Sequence, residues 1–276
     1  MKYLLLCGVH GDEQTAVLST IKAYNAIKAE KHDSIDLNLS MVNQQGLRAC
    51  QRTFPEADEP TTDLNRMYGD TSEVEAKDIV SMVKTCINLV DVVIDVHNSP
   101  SCANGILISN NAYAPDYVKF AQAQHICYML RESAVNTAKK YAIEKGKLGI
   151  TVEMGGMGAG PELLKVIDNQ TNFLHRLIMS LEVYTQNGGK FGKSASLPAT
   201  SNMVSVHAHE EGIVSYHVDF GMPVNVGYNI ADIIYMDHTV EQIYAPCDGW
   251  IADTNPALYV SPGDLIFDYQ PEIDKL

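Results

Sequence analysis

The sequence predicts an α/β fold with a largely parallel or mixed central sheet, followed by a small all-β domain. Strand-like and helix-like segments alternate from the start of the chain to about residue 185, which is typical of a sheet covered by helices. The stretch that follows, residues 186–202, is rich in Gly, Ser, Lys and Asn and indicates a linker. Beyond it come short strands and turns without a helical period, which indicate the β domain.

The first segments of the α/β part follow each other as strand, helix, strand and helix. "KYLLLCGV" is a continuous apolar run and predicts a buried strand, whereas "EQTAVLSTIKAYNAIKAE" has the apolar spacing of a helix. "IDLNLSMVN" alternates as a strand does. "SEVEAKDIVSMVKTCINL" predicts an amphipathic helix with Ser72 as its N-cap and acidic residues in its first turn.

Three further strands and a long helix complete this part. Strands are predicted at "VDVVIDVH", "NGILISN" and "LGITVEMG", and the helix "PELLKVIDNQTNFLHRLIMSLEVYT" begins at Pro161. The domain boundaries that follow are 1–187 for the α/β domain, 188–202 for the linker and 203–276 for the β domain. Within the β domain, two similar segments indicate that it is built from two halves.

Composition and charge restrict the partners of the protein. The chain has 276 residues, of which 46% are apolar, so it can bury a sizeable core. Its formal net charge of -14 and its lack of a Lys/Arg run argue against nucleic acid and anionic membrane as partners. No apolar run reaches the ~18 residues of a membrane span. The six cysteines are scattered without a CxxC pair, which favours reduced thiols and a cytoplasmic protein, while a homo-oligomer is left open.

Four residues that could carry chemistry fall at strand ends. His10 and Glu13 follow the first strand, His97 ends "DVVIDVH" and Glu153 ends "GITVE". Because ligands of open α/β sheets bind beyond the carboxyl ends of the strands, we expect these four side chains at one edge. Two imidazoles and one carboxylate, with a fourth position open for water, form a catalytic rather than a structural zinc set.

Each of these residues also has a plainer interpretation. A histidine at a strand end is more often a hydrogen-bonded structural residue than a metal ligand. Glu13 could simply favour a helix N-terminus, and Glu153 could be an ordinary acid at a strand end. Only their common edge favours the metal site, and from spacing alone the two interpretations are evenly balanced.

A candidate anion-binding segment is "TTDLNRMYG", residues 61–69. Arg66 offers a planar fork that suits a carboxylate, and the adjacent Asn65 adds a further donor. A solvated arginine in a turn explains the segment equally well. Arg52 is a third cationic candidate upstream, and Arg48 is close enough in sequence to compete with it.

Four motifs, "GVHGDE", "DLNR", "DVHNSP" and "GITVEMG", occur in this order along the chain. Together they resemble the succinylglutamate desuccinylase/aspartoacylase family of zinc hydrolases, which belongs to the zinc carboxypeptidase superfamily. The resemblance runs from about residue 3 to about residue 160, and the small β domain also suits the family. It implies a three-layer α/β/α domain with a mixed central sheet. It also implies a deacylase that cleaves an N-acyl amino acid, a small carboxylate substrate, into a carboxylate and a free amino acid.

The resemblance assigns the metal ligands and the base. His10, Glu13 and His97 look like the ligands of one zinc ion per chain. Glu153 looks like the general base that takes the proton of the attacking water and delivers it to the leaving amine.

The resemblance also assigns residues that contact the substrate. Asn65 and Arg66 look like the clamp for the substrate carboxylate, and Arg52 resembles the arginine that polarises the scissile carbonyl. The segment "NPALY" resembles the C-terminal segment that places a tyrosine over the active site, which nominates Tyr259. By contrast, "KKYAIEKGK", residues 139–147, has lysines but no arginine where aspartoacylase holds the side-chain carboxylate of its substrate. The acyl group and the amino acid are therefore not specified.

Other functional classes share some of these features. A zinc carboxypeptidase-type metallopeptidase or a non-catalytic zinc protein of the same fold would keep the metal ligands, but Glu153 and Arg66 are not needed merely to hold zinc. The glycines of "GGMGAG" do not fit the dinucleotide-binding fingerprint. The hairpin "GWIADTNPALYV" lacks the lysine of a lipoyl or biotinyl carrier. A zinc-dependent deacylase is therefore the predicted function.

Overall fold

The computed structural model describes most of the chain. The described residues are 1–54, 62–69, 74–99, 104–109, 113–131, 134–155, 162–192, 203–218, 222–254 and 259–272. The chain divides into two compact units, one formed by Met1–Ser99 and Ser133–Phe191 and the other by Pro100–Glu132 and Gly192–Leu276. Most of the predicted linker lies outside the described residues, and the boundaries given above stay predictions.

Strands and helices alternate along the first part of the chain, and strands alone follow. The described strands are β1 (Lys2–Cys7), β2 (Asp36–Met41), β3 (Val92–Ser99), β4 (Gly105–Ser109), β5 (Tyr128–Arg131), β6 (Leu148–Gly155), β7 (Val204–His207), β8 (Gly212–Tyr216), β9 (Pro223–Val224), β10 (Asn229–Tyr235), β11 (Val240–Tyr244), β12 (Gly249–Thr254), β13 (Tyr259–Val260) and β14 (Leu265–Pro271). The described α-helices are α1 (Gln14–Glu30), α2 (Gln44–Ala49), α3 (Val74–Asn88), α4 (Ala114–Ala123), α5 (Ala138–Glu144) and α6 (Glu162–Gln186).

The first unit is a parallel sheet with helices on both faces. Strands β2, β1, β3 and β6 lie side by side in this order, and their pairings are all parallel. On one face, Tyr3 of β1 donates a hydrogen bond to Glu182 of α6 at 2.8 Å. On the other, Leu4 and Leu6 share a core with Val80 of α3. Since successive strand residues point to opposite faces, the helices form the two outer layers. The predicted α/β class with an added all-β part is confirmed.

Most element predictions for this unit agree with the structure. The strand "LGITVEMG" coincides with β6, and the predicted helices correspond to α1, α3 and α6 within two residues at each described end. The proposed helix starts at Ser72 and Pro161 lie outside the described residues. Helices α2, α4 and α5 and strand β5 were not predicted, because each is short and carries too few apolar repeats for a clear period.

The second unit contains two antiparallel sheets that exchange short strands. One has the order β11-β10-β8-β13 and the other β7-β14-β12-β9. Strand β8 pairs with β10 and also with β13, whereas β12 pairs with β14 and also with β9. The first half contains β8, β9 and β10, and the second contains β12, β13 and β14. The short middle strand of each half, β9 or β13, pairs with a strand of the other half, in agreement with the predicted two-fold repeat. This unit also holds α4 and the parallel pair β4 and β5.

Two predictions about the whole chain can be compared with the structure. Among the helices described, none combines the length and the hydropathy needed to span a bilayer. None of the five cysteines that the structure describes forms a disulfide, in agreement with the predicted reduced thiols, and Cys102 lies outside the described residues.

Candidate metal centre and active site

The turn between β1 and α1 carries His10 and Glu13. A Cβ atom at Gly11 would stand 2.1 Å from the carbonyl carbon of Gly46, so this turn can pack against α2 only because Gly11 has no side chain. The Gly11 amide donates to the carbonyl oxygen of Arg52 at 3.3 Å. The same packing therefore brings Arg52 next to Glu13.

His10, Glu13 and His97 form one compact buried cluster. Their exposed fractions are 4%, 4% and 3%. His10 Nδ1 lies 2.6 Å from Glu13 Oε1, and His97 Nδ1 lies 3.0 Å from Glu13 Oε2. The two Nδ1 atoms are 3.2 Å apart. The three side chains could therefore hold one metal ion, since a ligand atom from each lies within 4.8 Å of the other two.

Polar residues hold the far side of both imidazole rings. His10 Nε2 lies 3.2 Å from Asp63 Oδ1. His97 Nε2 lies 3.2 Å from Asp95 Oδ1, to which it can donate, and 3.2 Å from Asn65 Nδ2, a donor that a protonated Nε2 cannot accept. A ring that keeps its Nε2 proton towards a carboxylate would offer the lone pair of Nδ1 to a metal ion, once that ion displaces the Nδ1 proton that faces Glu13. Outer carboxylates of this kind fix the tautomer and the orientation of metal-binding histidines.

The charges of the cluster reinforce one another. Burial disfavours charged His97, but the carboxylates of Asp95 and Glu13 outweigh burial and hold the pKa of this imidazole well above its usual range. At Glu13, burial raises the pKa of the carboxyl, but His97 and His10 outweigh burial and lower this pKa to about 2. At Asp63, His10 likewise overcomes burial and lowers the pKa to about 2. Glu13 and Asp63 are therefore anionic at neutral pH.

Glu153 lies beside this cluster through the pairing of two strands. In the register of β3 and β6, His97 is the direct partner of Glu153. Asn98 ties the same strands to the start of α1: its Oδ1 accepts from the Ala16 amide at 2.8 Å, and its Nδ2 donates to the Met154 carbonyl at 3.1 Å. The residue after His97 thus links the segment that carries Glu13 to the strand that carries Glu153.

The four cationic and amide candidates have different surroundings. Arg52 is exposed and donates to Glu13 Oε1 at 3.4 Å, whereas Arg48 lies exposed on α2. Asn65 is buried, and its Oδ1 accepts from the Ala138 amide at 3.4 Å. Arg66 is exposed and donates to the Asn65 carbonyl at 3.0 Å. Of the two arginines considered for the scissile carbonyl, Arg52 is thus the one with a contact to the cluster.

Tyr259 belongs to the second unit. It lies on β13 opposite Ile213 of β8, and its side chain is half-exposed. Its hydroxyl donates to Glu211 Oε2 at 2.9 Å. The other residues of "NPALY" that precede it lie outside the described residues.

Sequence reasoning missed four residues that contact or surround the site. Asp63 and Asn98 stand inside motifs that were recognised, "DLNR" and "DVHNSP", but no role was given to them. Asp95 is two residues before His97, so the period of a strand could have placed it on the same face. Lys139 lies in a lysine-rich segment, and nothing in the sequence distinguishes it from its exposed neighbours.

The catalytic-domain model of the succinylglutamate desuccinylase/aspartoacylase family matches residues 1–179. This match covers more than half of the chain and contains every member of the cluster together with Glu153. No significant relative is found among curated protein sequences.

Solved structures share the fold at low sequence identity. An aspartoacylase family protein from Mesorhizobium loti is 16% identical with a TM-score of 0.66, covering 99% of this chain and 86% of that one. The ectoine utilization protein EutE from Ruegeria pomeroyi, with product bound, is 18% identical with a TM-score of 0.63, covering 98% and 85%. A mutant of murine aminoacylase 3 is 15% identical with a TM-score of 0.52, covering 99% and 94%.

Proposed function

The chain belongs to the succinylglutamate desuccinylase/aspartoacylase family, and from this premise we propose that it is a zinc-dependent deacylase of N-acyl amino acids. One observation carries the proposal. The buried cluster of His10, Glu13 and His97 lies beside Glu153, which pairs with His97 across β3 and β6. Metal ligands next to a half-buried carboxylate are the combination that hydrolysis of an amide requires.

The donor set fits zinc. Two imidazoles and one carboxylate leave a fourth position for water, which distinguishes a catalytic zinc site from a closed structural one. Glu13 contacts His10 through one oxygen at 2.6 Å and His97 through the other at 3.0 Å, and the two Nδ1 atoms are 3.2 Å apart, so the donors lie slightly closer together than the spacing of about 3.3 Å between ligands of a tetrahedral zinc with bonds of about 2.0 Å. When bound, zinc supplies a Lewis acid that polarises a carbonyl and acidifies water.

Glu153 is proposed as the general acid–base. Its carboxylate takes the proton of the attacking water and passes it to the nitrogen of the leaving amine, so that the amino acid departs neutral at nitrogen. A carboxylate beside two metal-binding imidazoles suits both transfers, because one group can then reach the water and the scissile bond in turn.

Three residues are proposed to bind the substrate. Arg66 is exposed and offers its planar fork to the carboxylate of the amino acid, and the neighbouring Asn65 supplies a further donor to the same carboxylate. Arg52, which lies 3.4 Å from Glu13, would donate to the oxyanion that forms from the scissile carbonyl. Holding the carboxylate at one end fixes the amide at the other, which lowers the entropic part of the barrier.

We further propose that the C-terminal β domain narrows the entrance to the site. A site open to solvent would accept long peptides, whereas a rigid β domain at its mouth would restrict it to short acyl amino acids and exclude water. Tyr259 is the residue proposed to contact the substrate there. A cytoplasmic location remains a prediction, and no oligomeric state is proposed.

The decisive experiment combines metal analysis with a substrate panel. The purified protein should contain one zinc per chain and cleave some N-acetyl or N-succinyl amino acids, with little activity on longer peptides. Glu153→Gln should keep the zinc and lose ~10²–10⁴-fold in kcat, as expected when proton transfer fails. A zinc-loaded protein that cleaves none of the panel, or only peptides, would contradict the proposal.

A further inference from the structure

Lys139 is the only buried lysine or arginine in the part of the chain that the structure describes. It is the second residue of α5, and 6% of it is exposed. Lysine is almost never fully buried unless its charge is paired, because removal of the ammonium from water is costly. The neighbouring Lys140 is half-buried and Lys145 is exposed. The burial of Lys139 therefore calls for a partner inside the protein.

The start of α5 lies directly against β6. A Cβ atom at Gly149 would stand 2.7 Å from the carbonyl oxygen of Lys139 and 3.3 Å from its Cγ. The stem of Lys139 can thus pack on the strand only because Gly149 has no side chain. Alternation places Gly149 on the same face of β6 as Glu153, and on the neighbouring β3 Asp95 lies two register positions beyond Gly149, opposite Thr151.

Two carboxylates provide the charge that Lys139 needs. Asp95 is completely buried, and neither of its oxygens has a well-aligned hydrogen-bond donor among the described residues, although His97 Nε2 lies 3.2 Å from Oδ1. Burial lowers the pKa of Lys139 to about 8, and the charges of Asp95 and Glu153 both act against this effect. The side chain therefore remains an ammonium at neutral pH.

We propose that Lys139 is a positioning residue whose buried ammonium holds the carboxylates of Asp95 and Glu153 in place next to the cluster of His10, Glu13 and His97. The inference rests on the proposed function in one respect, namely that Glu153 is the general base. In this role Lys139 does not touch the substrate, and its effect on the reaction is transmitted through Glu153. The Lys139 ammonium also holds Asp95, whose carboxylate lies 3.2 Å from His97 Nε2 and so fixes the orientation of that imidazole ring.

Activity measurements test this role by separating kcat from KM. Lys139→Met keeps the length of the stem and removes the charge, and it should lower kcat at least tenfold while KM changes less than twofold. Lys139→Arg retains a cation and should recover part of kcat, and Lys140→Met is the matched control that should keep both constants. In the Glu153→Gln background, Lys139→Met should cause little further loss, because residues that act as a unit are not additive. Unchanged kcat in Lys139→Met, or the same fold loss in both backgrounds, would overturn the proposal.

A thermal-unfolding cycle tests the charge coupling without any substrate. Lys139→Met should lower Tm, and the addition of Glu153→Gln should restore part of the loss, because one of the uncompensated carboxylates is then neutral. Strictly additive Tm shifts would refute the coupling. Should Lys139→Met not fold, Lys139→Gln completes the same cycle. If the wild-type protein binds zinc but cleaves no acyl amino acid, the proposed function fails while the cycle still decides the pairing.

Discussion

The Nδ1 atoms of His10 and His97 lie 3.2 Å apart, although 87 positions separate the two residues in the chain. Strand pairing produces this contact, because β1 and β3 are direct parallel neighbours. His10 follows the carboxyl end of β1, and His97 lies near the carboxyl end of β3. Glu13 closes the group by bridging the two rings with its two oxygens. Two imidazoles this close, with a shared carboxylate, have the arrangement of ligands gathered around one cation.

Replacement of His97 by Ala should therefore abolish stoichiometric metal binding. Loss of one of three ligands removes the geometry that selects a tetrahedral metal, so elemental analysis should fall from one zinc per chain to well below one. His175→Ala is the matched control, since His175 lies on α6 with Glu30 as its partner. Full zinc occupancy in His97→Ala would show that the cluster is not the metal site.

The sequence was sufficient to place the cluster but not its surroundings. The strands β3 and β6 were predictable because burial on both faces favours apolar residues at most positions, and their carboxyl ends then located His97 and Glu153. The burial of Lys139 was not predictable, because it depends on the contact of α5 with Gly149, and α5 is too short to show a period. The contact of Asp63 with His10 was not predictable either, because it joins residues 53 positions apart and arises only from the tertiary fold.

Asp63 should give the metal-free protein a pH-dependent stability. Its pKa is about 2 in the folded protein and 3.8 ordinarily, so it stabilises the fold above pH 3.8 and loses this effect as the pH falls towards 2. At 1.36 kcal/mol per pKa unit, Asp63→Asn should lower the free energy of unfolding by about 2 kcal/mol at pH 6. Near pH 2 the difference from wild type should vanish.

Urea unfolding in the presence of a chelator measures this difference at pH 6, 4 and 2.5. Asp168→Asn is the control, because Asp168 pairs with Lys22 at the surface and should contribute little at any pH. A stability loss in Asp63→Asn that is the same at all three pH values would mean that packing, and not the charge contact with His10, explains it.

Arg66 should determine the requirement for a free carboxylate on the substrate. Arg66→Lys keeps the charge but removes the planar fork, so kcat/KM for N-acyl amino acids should fall ~10–100-fold, the range of a hydrogen bond to a charged group. The wild-type enzyme should also prefer free acids to the corresponding amides by a similar factor. Arg48→Lys, on the exposed side of α2, should change neither quantity. Equal cleavage of acids and amides by the wild type would rule out the clamp.

Tyr259 offers the last prediction, which concerns the purpose of the β domain. All proposed ligands and the base precede residue 160, so the chemistry itself does not need residues 203–276. Tyr259 is half-exposed, and its hydroxyl bonds only to the side chain of Glu211 among the contacts described, which leaves the hydroxyl accessible to a solute. A tyrosine that served only the packing of the two halves would instead have its ring in the core, as Tyr269 does.

Tyr259→Phe should accordingly lower kcat/KM roughly fivefold, the effect of about one lost hydrogen bond of ~1 kcal/mol, while Tm changes by no more than about 1 °C. Tyr244→Phe is the matched control, because Tyr244 is equally exposed on β11 and bonds to Gln242. The comparison needs short and long substrates, since a residue at the entrance should affect the preference for short acyl amino acids as well as their rate. A lower Tm with unchanged kcat/KM would assign Tyr259 to the structure of the β domain and remove it from the proposed active site.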